Sequence, residues 1–160
     1  MRGRLYDSRV RVALVVFVAL ATPFAAFADS PLIVIGRSVG PIRIGMPRAE
    51  VVRLLGKPRQ PPSGAPYYIE HGARFSVSYV HGDVAWIRTS SRYYRTRSGV
   101  GVGAPLKAAA ALPGFRFERC TGGYWRLAHG AYTIFSPGTT EHTKTTIGEV
   151  VIVAASAYDC

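Results

Sequence analysis

A chain of 160 residues with 20 Lys and Arg against nine Asp and Glu carries a formal charge of +11. Its length gives one domain of ordinary size with its own core once a leader is set aside, and excludes two. The two cysteines, Cys120 and Cys160, lie in the part that reads as exported, where an even count favours a disulfide over a metal site or a thiol nucleophile.

Arg2, Arg4, Arg9 and Arg11 precede an uncharged apolar run from Val12 to Ala28, and Ala26-Phe27-Ala28 places small residues at the positions that signal peptidase requires. The run contains Thr22 and Pro23 and is shorter than the ~20 residues of a usual spanning helix, so residues 1–28 read as a signal peptide cleaved before Asp29 rather than as an anchor. No Cys follows the run to carry a lipid, so the expected location is exported, periplasmic or secreted. The leader holds four Arg against one Asp, which leaves residues 29–160 with +8, three below the whole chain. This basic protein suits acidic partners such as phospholipid head groups, anionic wall polymers or an acidic protein face, and the bland alternative is a solvated surface that keeps it soluble.

A phrase then occurs twice. Val39 to Pro58 reads VGPIRIGMPRAEVVRLLGKP and Ser98 to Phe115 reads SGVGVGAPLKAAAALPGF, so that Ile42, Ile44, Gly45, Pro47 and Gly56 recur as Val100, Val102, Gly103, Pro105 and Gly114, each 58 positions on. Such recurrence predicts a tandem repeat, with repeat one over 39–92 and repeat two over 98–160 of a single domain spanning 29–160. In the first copy Pro47 opens a short helix, Glu50 lies in its first turn, Val51, Leu54 and Leu55 form its apolar stripe, and Gly56 and Pro58 end it. The second copy repeats this helix after Pro105 with smaller side chains.

After each helix the apolar period changes from 3.6 to 2. Arg74 to Val80 alternates, His81-Gly82-Asp83 turns the chain, and Val84 to Thr89 returns it as a hairpin. Ala131 to Phe135 and Glu149 to Ala155 are the expected second pair, joined by Ser136 to Gly148, and a further strand precedes each hairpin at Tyr67 to Glu70 and Tyr124 to Ala128. The fold class expected is therefore α+β: two tandem helix-plus-antiparallel-hairpin repeats forming one sheet with helices on one face.

The Ile-x-Ile-Gly-Met phrase, the helix ending Leu-Leu-Gly-x-Pro and the Gly-Asp hairpin tip resemble, over residues 39–155, the tandem-repeat fold of β-lactamase-inhibitor proteins and small outer-membrane assembly lipoproteins. The resemblance implies protein binding without catalysis and, in the inhibitor proteins, a concave sheet face that clasps the target enzyme. Three departures stand out: no lipid-bearing Cys, one possible disulfide, and Pro47 where relatives often place a Ser or Thr cap.

Charged residues set the expected strand registers, because neighbouring strand positions face opposite ways. Glu70 outward places Tyr68 outward with Tyr67 and Ile69 against the helices. Arg88 outward places Trp86 and Val84 outward, with Ala85 and Ile87 inward. Arg126 outward carries Tyr124 with it and leaves Trp125 and Leu127 inward. The shift of 58 maps Tyr68 onto Arg126, and Tyr67 and Ile69 onto Trp125 and Leu127, in agreement. The open face then carries Tyr68, Arg74, Trp86, Arg88, Tyr124 and Arg126, a mixture of aromatics and arginines suited to protein binding. A loop, the N-terminal segment or a homodimer through this face would equally cover the aromatics.

No catalytic signature competes. His71, His81, His129 and His142 lie at loops or turns without ligand spacing, so no metal or cofactor is expected. Ser78, His81 and Asp83 lack a nucleophile elbow, and Gly99 to Gly103 lacks the Gly-Lys-Ser or Gly-Lys-Thr of a phosphate loop. Arg88 to Arg97, reading RTSSRYYRTR, interleaves Arg and Tyr as nucleic-acid binders do, but without a recognised motif nucleic acid is a disfavoured partner. The function expected is an exported, non-catalytic protein-binding module, possible inhibitor behaviour included; the alternative is an envelope-associated protein that holds anionic polymers or lipids through its basic surface.

Overall fold

The computed structural model describes residues 31–62, 64–137 and 145–159. The leader, Cys160 and most of the loop after Pro137, His142 included, lie outside the described residues. Among the described residues the fold is mostly β, with 45% strand and 13% helix, which corrects the α+β expectation of two helix-plus-hairpin repeats in one sheet. Two antiparallel sheets are present. β1 (Ile33–Val34), β2 (Ser38–Val39) and β3 (Ile42–Arg43) form a small meander. The main sheet runs in the order β4 (Tyr67–Glu70), β5 (Ala73–Val80), β6 (Asp83–Thr89), β10 (Ile147–Ala154), β9 (Ala131–Pro137), β8 (Gly123–Ala128) and β7 (Arg116–Glu118).

The helical expectation fails because the two copies of the phrase supply only α1 (Arg48–Leu55) and the five-residue α2 (Leu106–Ala110), too little to form a layer of their own. Part of the cover comes instead from the β1–β3 meander, whose Ile33, Val39 and Ile42 are buried in the same core as Val51 of α1 and Ala109 of α2. The second half also adds an edge strand, β7, that lay unrecognised within 116–118.

Local chemistry explains the elements that do form. Pro47 and Pro105 are the extended residues just before α1 and α2, where a missing N–H costs nothing. Arg43 pairs with Glu50 at 3.6 Å, and the Gly56 N–H closes α1 on the Val52 carbonyl at 2.9 Å. The central strand β10 is buried on both faces from Val150 to Val153, which is why it reads as a continuous apolar run and not as an alternation.

Cross-strand register separates the two faces of the main sheet. Tyr124, Phe135, Val150, Thr89, Phe75 and Tyr68 stand side by side across six strands on the helix side. Trp125, Ile134, Val151, Arg88, Ser76 and Tyr67 form the corresponding row on the opposite side, followed by Leu127, Tyr132, Val153, Trp86 and Ser78.

Candidate functional site

The face away from the helices is only partly open. After β10 the chain makes a turn of 3-10 helix at Ala155–Ala157 and lays Tyr158 back over the middle of this face. Tyr158 packs on Tyr132 with ring centroids 4.7 Å apart, Tyr132 meets Trp125 edge-on at 5.2 Å, and Trp86 Nε1 donates to the Ala157 carbonyl at 3.3 Å. This C-terminal strap, with Ile134, Val151 and Val153 beneath it, makes a second small core. The cover is the chain's own C-terminus, which was not among those anticipated for the aromatics.

Glu118 anchors the turn beside the strap. Its carboxylate accepts from Cys120 N at 2.6 Å, Thr121 N at 2.8 Å and Thr121 Oγ1 at 2.9 Å. Burial alone would raise its pKa, but these donors outweigh it and hold the group below the ordinary value of 4.5. The buried Tyr158 hydroxyl lies beside this carboxylate without a fully formed hydrogen bond, and burial followed by the Glu118 charge pushes the phenol above its ordinary 10.0. A lowered carboxyl contributes stability that is present above pH 4.5 and lost as pH falls through its folded value; a raised phenol contributes stability that is present below pH 10 and lost above it. Tryptophan emission should therefore shift to the red at both extremes as the strap lifts. Tyr79 on the other face is also raised, by burial and then by its hydrogen bond with Tyr68, so Tyr158→Phe should diminish the alkaline change without abolishing it.

Three of the six anticipated site residues are on this face. The Arg74 guanidinium lies 4.3 Å from the centroid of the Tyr67 ring, Arg88 sits 5.9 Å from that of Trp86 and 3.6 Å from Glu149, and Trp86 itself is half-buried under the strap. The other three are corrected. Tyr68 is 4% exposed and belongs to the core under the helices. Tyr124 packs against that same core, and Arg126 lies on the helix side with Nη1 donating to the Pro113 carbonyl at 2.9 Å. Conversely Tyr67, Ile69, Trp125 and Leu127, expected to point inward, line the face away from the helices; Ile69 is 42% and Leu127 49% exposed. Ala85 and Ile87 are buried, as is Val84, which was expected outward; the ladder between β5 and β6 shifts at Ser78/Tyr79, beside it.

What remains accessible is a border on both sides of the strap, with Tyr67, Ile69, Arg74 and Arg88 on β4 to β6 and Leu127 on β8. Five strand spacings separate β4 from β8, or about 24 Å. The signal that could have located it is the Phe75, Val77 and Tyr79 alternation: pairing β4 against this unambiguous strand assigns Tyr68 with Phe75 at once.

No protein-family model matches the chain, and no curated protein matches it. Among solved structures, a cysteine-rich secretory protein from Staphylococcus aureus subsp. aureus Mu50 is similar with a TM-score of 0.45 at 10% identity, over 71% of this chain and 44% of that one. The chain thus spans less than half the length of that neighbour, and so distant a likeness carries no functional argument.

Proposed function

We propose that the protein is an exported, non-catalytic binding module whose strap-bordered sheet face docks a protein partner with apolar and acidic surface. The observation that carries this reading is the pair of large aliphatic side chains, Ile69 and Leu127, left exposed on one sheet face together with Arg74 and Arg88. Apolar side chains beside arginines are what a docking surface uses, and a width of about 24 Å suits a patch of roughly 800 Å² per partner. A Cys120–Cys160 disulfide belongs to the proposal: Tyr158 lies beside Glu118, so both cysteines are two residues from a point where the strap meets the β7–β8 turn. Inhibition of an exported hydrolase, as the resemblance to the inhibitor proteins implies, is one form that this docking takes.

An Ile69→Asp/Leu127→Asp variant should keep the parent's melting temperature and lose partner affinity by about 30-fold, the equivalent of roughly 2 kcal/mol. The envelope alternative rests on the charge of +8 left on residues 29–160, three below the +11 of the whole chain, and makes the opposite demand. It requires retention on anionic liposomes or wall polymer that collapses from low to high salt and is indifferent to the double substitution.

A further inference from the structure

A groove of about 480 Å³ opens on the helix side of the molecule, away from the proposed docking face. Four distant stretches build it: the β1 strand region, the 96–98 loop, the 112–115 segment after α2, and the end of β8. Leu32, Ile35, Leu112 and Phe115 give it apolar walls, and Arg97 and Arg126 both line the same cavity. Among the described residues no carboxylate lines it. One N–H of Arg126 is held by the Pro113 carbonyl, which fixes the side chain while leaving its other donors uncommitted, and Arg97 makes no ion pair among the described residues.

The frame is preformed. Ile33 N donates to Arg95 O at 2.7 Å and Arg95 N to Pro31 O at 2.8 Å, which ties the β1 wall to the segment entering the 96–98 loop. The Gly36 N–H donates to the buried Thr133 Oγ1 at 2.6 Å, which pins the same wall to the main sheet. Apolar walls, a few fixed polar groups and a volume within ~300–1,000 Å³ are the marks of a small-molecule site. Two guanidinium groups without a counter-ion select an anion, and their planar forks suit a carboxylate.

We infer that this groove binds a small amphiphilic carboxylate, its head taken by Arg97 and Arg126 and its hydrocarbon body laid along Leu32, Ile35, Leu112 and Phe115. Neither the docking face nor its partner enters this inference.

Calorimetric titration of the purified protein with decanoate, decanol, decylammonium and acetate, all below their aggregation thresholds, tests it. Decanoate should bind at least tenfold more tightly than decanol or acetate, and decylammonium should not bind. Arg126→Gln should weaken decanoate at least tenfold. Arg97→Glu, at an exposed loop position that leaves folding untouched, should do the same with an unchanged melting temperature. Equal binding of decanoate and decylammonium, or decanoate binding unaffected by Arg97→Glu, overturns the inference. The Ile69→Asp/Leu127→Asp variant should retain decanoate binding, so failure of the groove and failure of the docking face are read separately.

Discussion

Gly36→Ala should destabilise the protein by about 4 kcal/mol, a large effect for the addition of one methyl group. Gly36 has φ +69°, where an L side chain costs ~1–2 kcal/mol. A Cβ there would also fall far inside van der Waals contact with the Ala128 carbonyl oxygen and 2.6 Å from its carbon, both backbone atoms that cannot rotate away. Relief requires the β1–β2 turn to lift, and lifting breaks the Gly36 N–H bond to Thr133 Oγ1, a hydroxyl on a fully buried residue. Leaving such a group unsatisfied costs ~1–3 kcal/mol. Gly72 supplies the control: its φ is +74°, yet nothing lies within 4 Å of its would-be Cβ, so Gly72→Ala should lose only ~1 kcal/mol. Urea unfolding of the two variants side by side measures the difference. Equal losses would mean that the meander is not pinned to the sheet as described.

Tyr68→Ala should cost about 3 kcal/mol of stability, whereas Tyr67→Ala, one residue away, should cost under 1 kcal/mol. The Tyr68 ring is buried against Phe75 across the β4–β5 ladder, and its hydroxyl lies 3.5 Å from that of Tyr79. Truncation removes both the apolar contact and the polar partner. Tyr67 faces the other way, and beyond its backbone pairing with Arg59 the side chain mainly meets Arg74. Thermal melts report the stability contrast, and partner capture should show the reverse order, with Tyr67→Ala the more damaging for a variant that stays folded. A Tyr68 variant as stable as the parent would return this residue to the surface.

That contrast also marks where sequence reasoning succeeds and where it inverts. The β5 and β6 strands and their turn are legible because Phe75, Val77 and Tyr79 alternate against Arg74, Ser76 and Ser78 with no competing signal. Helix α1 is legible from Pro47, Val51 and Gly56. The registers of β4 and β8 invert because single charges, Glu70 and Arg126, do not mark the open face of this sheet. Glu70 is the last residue of its strand, and Arg126, in the middle of β8, runs out from the helix side to the Pro113 carbonyl, so neither charge has to stand on the open face.

The agreement between the two halves did not protect against this error. A shift of 58 relates Tyr68 to Arg126 and Tyr67 to Trp125, and the structure does place each pair on a common face. Equivalence fixes relative register only, so both strands invert together. The fold class fails for a different reason. Two-residue strands such as β1, β2 and β3 carry too little periodicity to read, yet with β7 they change the balance from α+β to mostly β. The strap was equally hidden, since a lone Tyr two residues before Cys160 has no pattern to place it.

Photo-crosslinking tests the docking face most directly. A benzoylphenylalanine is placed at Leu127 and, in a separate variant, at Arg53 on the exposed side of α1, and each is irradiated in the cells that make the protein. A discrete protein adduct should form from position 127, be absent from position 53, and disappear when Ile69→Asp is added. Adducts of equal yield from both positions, or none from position 127, would contradict the docking face.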